Sequence, residues 1–172
     1  MNFQVLIPLL ATGTFQGGSL LYGFTMSSLG VGMVVGSLLS AGWSNPTVGR
    51  VIALVGLLAV TLLAVTVAPD LQLAVTAIAA MGASTSLFLT SSVGCLQLHS
   101  PEGMRGRVMA MYSIAFLGVA PIGGPLVGGV AQVLQARAGF LVGALASGLA
   151  CIVAAAWLLS QRRAVRGDTP VS

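Results

Sequence analysis

The chain has no lysine, and its 172 residues carry only seven arginines and three acids. Charged residues make up 6% of it, where a soluble domain has about a quarter. So few charges cannot cover the surface of a chain this long, which excludes water as the solvent for most of it. The scarcity of acid matters in a second way. Asp70, Glu102 and Asp168 all fall in turns or the tail, so no apolar run holds a carboxylate. Proton-driven carriers keep an ionisable group inside the membrane, and any such group would have to lie outside this chain. There is one histidine, His99, and the two cysteines, Cys95 and Cys151, each sit inside an apolar run. No Ser–His–acid set, metal-ligand cluster or phosphate-binding loop appears. The chain is therefore not expected to be an enzyme or to hold a cofactor or a metal, and the cysteines read as small packed residues. The net charge of +4 comes from arginines scattered between apolar runs rather than gathered on one polar face. That pattern argues against nucleic acid as a partner.

What is abundant is apolar, at 56% of residues. A helix crossing a bilayer needs about 20 mainly apolar residues. Five stretches qualify, at 20–43, 51–68, 71–98, 108–134 and 139–159, while a sixth, 1–11, is too short to span. The breaks are short and carry turn chemistry: "TGTFQGGS", "SNPTVGR", "PD", "HSPEGMRGR" and "QARA". Short links make neighbouring helices antiparallel. The expected architecture is an all-α membrane protein, a polytopic helix bundle over 1–159 with five full spans and one truncated span. A basic tail at 160–172 is expected to be disordered. The short first span would leave backbone N–H groups unsatisfied in lipid, each costing several kcal/mol, so the chain is read as a fragment of something longer.

Orientation follows from the arginines. With "SNPTVGR" in the cytoplasm, alternation puts Arg50, Arg105, Arg107, Arg162, Arg163 and Arg166 there and leaves only Arg137 outside. Six against one is a positive-inside bias, which implies the cell membrane and a cytoplasmic C-terminus. Trp43 and Trp157 fall at the same cytoplasmic ends, where an aromatic belt would place them.

Packing between helices in lipid depends on small residues four apart. Such seams run through Ser28, Gly32, Gly36 and Ser40, through Gly82, Ser86, Thr90 and Gly94, and through Gly139, Gly143, Ser147, Cys151 and Ala155. By contrast "VIALVGLLAVTLLAVTVA" is large and apolar on most faces, so it is expected at the rim of the bundle. The fourth stretch also holds Ser84, Thr85, Ser86, Thr90, Ser91 and Ser92, six hydroxyls in nine positions. Hydroxyls can bond their own helix carbonyls, but this density favours a face lining a wet cavity. Ser84, Thr85, Ser86, Thr90 and Ser91, with Asn2 and Gln4 of the first stretch, are the candidate substrate-cavity residues.

In "GWSNPTVGRV", Gly42, Gly49 and Arg50 stand at the spacing of the loop signature of the major facilitator superfamily, glycine–three–aspartate–two–glycine–basic. Pro46 occupies the acidic position, so the charge relay of the stronger family copy is not expected here. "HSPEGMRGRVMAMYSIAFLGVAPIGGPLVGG" resembles the helix 10–11 region of bacterial siderophore and drug exporters of that superfamily. Ala120, Gly124, Pro125, Gly128 and Gly129 resemble its antiporter signature, with alanine for glycine at the first position. The resemblance spans nearly every residue. It implies half of a major facilitator fold, helices 7 (partial) to 12, and small-molecule efflux by alternating access. It also implies two partners, a small-molecule substrate and an N-terminal six-helix half.

The glycines and prolines of "GVAPIGGPLVGG" then have a purpose. Gly124 and Gly128 form a groove for a neighbouring helix. Pro125 frees the carbonyl of Pro121, and Pro121 that of Leu117, breaks that survive in a membrane where neighbours or a cavity satisfy the carbonyls. The helix is expected to bend there. Ser100, Pro101 and Glu102 read as an N-cap, a first helical proline and a first-turn acid. Glu102 and Arg105 share a face, and Arg105 and Arg107 are candidate gate residues that bond the C-terminal carbonyls of adjacent helices, or anchor topology alone. The different-class alternative is a non-transporting membrane fragment, or a bundle that pairs with a partner subunit.

Overall fold

A computed structural model describes residues 19–43, 47–134 and 136–167, and every element in them is helical. The helices are α1 (Ser19–Ala41), α2 (Val48–Val67), α3 (Leu71–His99), α4 (Arg105–Leu134) and α5 (Ala136–Gly167), with a single 3-10 turn at Glu102–Met104 before α4. Among the described residues, four stretches are long and apolar enough to cross a membrane: Leu20–Ala41 of α1, α2, α3, and Gly139–Ser160 of α5. The short first stretch, 1–11, lies outside the described residues. The expected disordered tail does not hold at its start, because α5 runs on to Gly167. "QRRAV" consists mostly of good helix formers, so a helix already nucleated in the span continues through it; 168–172 lie outside the described residues.

Helix α3 is the centre. It packs along α1 on one side and α2 on the other, α2 packs in turn on α5, and α4 lies along α5 with a light touch on α3. Leu29, Leu58, Leu62, Val65, Ile78, Met81, Phe140 and Ala144 form the core where α1, α2, α3 and α5 meet. Outward-facing side chains are as apolar as the core: Phe24, Val34, Leu38, Val60, Leu145, Leu149 and Ile152 are all exposed. Water would penalise every one of them, whereas lipid tails solvate them at no cost.

The rim position expected for α2 is corrected. Leu54, Leu58, Ala59, Thr61, Leu62 and Val65 of α2 are buried, since its large residues interdigitate with Met81 and Ile78 on one side and Phe140 on the other. Only the face through Leu57, Val60, Leu63 and Val67 looks outward. Size on most faces therefore marked a helix with partners on two sides.

The α1–α3 contact is of the opposite kind. Thr25, Leu29, Gly32, Gly36 and Ser40 of α1 are buried at intervals of four and three. A Cβ on Gly32 would strike the backbone of Ala79, one on Gly36 that of Ala83, and one on Gly82 that of Leu29 and Met33. Backbone meets backbone from both sides, which only residues without side chains allow.

Candidate functional site

The α1–α3 seam opens at one end into a cavity of about 330 Å³. Its walls are Ser40 and Trp43 from the end of α1, Arg50 from the start of α2, Thr90, Ser91, Gly94, Gln97 and Leu98 from α3, and Arg105 from α4. The two loops that sequence reasoning placed on one side of the membrane, around 42–50 and 100–107, thus meet at one cavity. Arg50 of the loop signature lies half-buried with its guanidinium 4.5 Å from the centre of the Trp43 ring, a cation–π contact. Gly42 and Gly49 are exposed turn-side positions, and Pro46 lies outside the described residues.

The α3–α4 link departs from the expected cap. Ser100 donates its hydroxyl back to the Leu96 carbonyl, so it closes α3 rather than opening the next helix. Pro101 has ψ 144°, an extended backbone, and helical conformation starts with the 3-10 turn at Glu102. Arg105 Nε donates to the Ser100 carbonyl at 3.4 Å, a long bond to the residue that caps α3. Arg107 is exposed and makes no hydrogen bond among the described residues. The Glu102 side chain lies outside them.

The hydroxyls of α3 divide. Ser84 and Thr61 of α2 share a 3.0 Å hydrogen bond, and Ser84 also donates to Met81 O at 3.0 Å. Ser86 and Ser37 of α1 share one of 2.8 Å. Thr85 is fully buried and bonds the Met81 carbonyl at 2.7 Å. None of Ser84, Thr85 and Ser86 lines the cavity; they knit α3 to its neighbours or to itself. Thr90 and Ser91 do line it, Thr90 with its hydroxyl returned to the Ser86 carbonyl at 2.9 Å. Asn2 and Gln4 lie outside the described residues.

Sequence reasoning missed Ser40, Trp43 and Gln97 as cavity residues. Thr90, Gly94 and Gln97 stand four and three apart, one polar helical face running off the end of a small-residue seam. That was the available signal.

Helix α4 keeps a helical backbone through the whole glycine- and proline-rich stretch, including Pro121 and Pro125. Nothing described lies within 4 Å of where a Cβ on Gly118 or Gly129 would be, and Met111, Ile114 and Leu117 are exposed. The surroundings of Ala120, Pro121, Gly124, Pro125 and Gly128 lie outside the described residues. Both cysteines are free thiols: Cys95 is buried, its Sγ 3.8 Å from His99 Nδ1, and Cys151 donates to the Ile52 carbonyl at 3.4 Å across the α2–α5 contact.

The family model for transmembrane secretion effectors matches residues 2–168. No curated protein and no solved structure matches the chain. A match over almost the full length, on a bundle of apolar helices with apolar faces turned outward, makes this a multi-pass membrane protein of a transporter family. The chain belongs to the transmembrane secretion effectors, a family of major facilitator type.

Proposed function

We propose that the chain is the C-terminal half of a secondary active transporter that exports small molecules by alternating access. The observation that carries this reading is the family match over 2–168. Efflux follows from the resemblance of "HSPEGMRGRVMAMYSIAFLGVAPIGGPLVGG" to siderophore and drug exporters. Alternating access needs one part of a bundle to move against another. The described packing divides in a way that supports it: α1 and α3 are locked backbone to backbone, whereas α4 exposes one face along Met111, Ile114, Leu117 and Gly118. Helix α4, with Pro121 and Pro125 in its interior, is the element that shifts, and its open face is where an N-terminal six-helix half would sit. The cavity end faces the cytoplasm, by the arginine bias. Arg105 latches that end by bonding the carbonyl that closes α3.

Transport is tested by expressing the chain with and without a six-helix amino-terminal half in cells stripped of their own exporters. Accumulation of a panel of fluorescent solutes is the readout. The two halves together should lower accumulation and this chain alone should not. A pair that assembles in the membrane yet leaves every solute unchanged would favour the alternative, a bundle that pairs without transporting. The latch is tested separately: Arg105→Gln with Arg107→Gln should change the inward/outward ratio seen by cysteine accessibility, and an unaltered ratio removes it.

A further inference from the structure

We propose that the end of α5 binds the headgroup of an anionic lipid through Arg163 and Arg166. The helix leaves the apolar span at Ser160 and stays helical to Gly167, so "QRRAVRG" keeps the register set inside the membrane. That register is fixed by which side of α5 is packed. Phe140 and Ala144 lie in the core, and Cys151 reaches the Ile52 carbonyl of α2. The other side carries Leu145, Leu149, Ile152 and Leu159, each 57–68% exposed, with Ala156 exposed between the last two. These five stand four, three, four and three apart, one helical stripe turned to lipid. Continuing the count by four and then three reaches Arg163 and Arg166. Arg162 falls instead on the packed register, four past Leu158 and seven past Ala155, which are both half-buried.

Depth points to the same partner. An α-helix rises 1.5 Å per residue, which puts Arg163 about 4 Å and Arg166 about 9 Å beyond Ser160. The headgroup layer is roughly 5–7 Å thick on each side of the hydrocarbon, so Arg163 starts within it and Arg166 at its outer edge. Trp157, exposed one turn earlier, is the residue type that settles at that boundary. A lipid whose tails lie along the stripe from Leu145 to Leu159 therefore carries its phosphate to the stripe's end. Charge agrees with depth: no acid occurs between Arg105 and Gly167, and the next one, Asp168, lies outside the described residues. A guanidinium pairs its planar fork of N–H donors with two oxygens of one phosphate. Each arginine near an anionic lipid surface strengthens binding about five-fold.

Trp157 reports on the lipids beside it in the intact chain carrying Trp43→Phe, which leaves it the sole tryptophan. The chain is reconstituted into phosphatidylcholine bilayers in which a rising fraction is replaced by brominated phosphatidylglycerol. Brominated phosphatidylcholine is the reference, since it has the same phosphate with a choline cation beside it. Bromine quenches tryptophan on contact, and phosphatidylglycerol should quench Trp157 at a mole fraction about ten-fold or more lower than the reference. Arg163→Gln and Arg166→Gln should each weaken that preference about five-fold, while Arg162→Gln should leave most of it. Equal quenching by the two lipids overturns the proposal. So does an equal loss in all three variants, which would make the arginines a diffuse charge without a lipid-facing register. Neither result depends on whether the chain transports anything.

Discussion

At the scale of single residues, the strongest statement concerns glycines with nearly the same sequence surroundings and opposite demands. Gly36 and Gly82 each face backbone of the opposite helix, while nothing lies within 4 Å of a Cβ on Gly30. Gly36→Ala or Gly82→Ala should therefore destabilise the bundle by about 1–3 kcal/mol, the usual cost of overpacking. Gly30→Ala should stabilise α1 by roughly 0.5–1 kcal/mol through lost unfolded-state freedom. Thermal unfolding in detergent reads both, and equal shifts for all three would contradict the seam. Ser37 and Ser86 meet at 2.8 Å; a double-mutant cycle to alanine should give a coupling of about 0.6 kcal/mol, as interhelical hydrogen bonds in membranes do. Spacing in the sequence named Gly32, Gly36 and Gly82 as seam residues. It could not divide the hydroxyls of α3, because Ser84 and Ser86 face different helices and only the positions of α1 and α2 decide which.

At the scale of elements, hydropathy and length are local properties, and they locate helices well. Partners are not local. The sequence of α2 read as lipid-facing because large apolar residues serve equally against lipid and against protein, yet Leu58, Leu62 and Val65 lie in the core with Phe140 of α5. Phe140→Ala should cost about 3 kcal/mol, whereas Leu145→Ala, on the outward face of the same helix, should leave the unfolding midpoint nearly unmoved. Comparable losses at both would mean that α5 is buried on two sides. The Ser100 cap failed for a related reason. Two helix ends compete for one hydroxyl, and the Leu96 carbonyl takes it, which leaves Pro101 extended and the start of α4 to a 3-10 turn.

At the scale of the whole molecule, the cavity was the least legible feature, since it is assembled from four helices whose contributions are each unremarkable in sequence. Its arginines were visible, Arg50 as part of a loop signature and Arg105 as a gate residue or an anchor of topology; their convergence needed the α1–α3 seam to bring two loops to one end. That arrangement is also the account's central claim, a bundle whose helices cross the bilayer and alternate in direction. Single cysteines test it in intact cells, on a background with Cys95 and Cys151 replaced by alanine, using a membrane-impermeant maleimide. Thr47→Cys and Gly103→Cys should be shielded until the cells are opened, while Pro69→Cys, in the turn between α2 and α3, should react from outside. Labelling of all three from the same side would contradict the account.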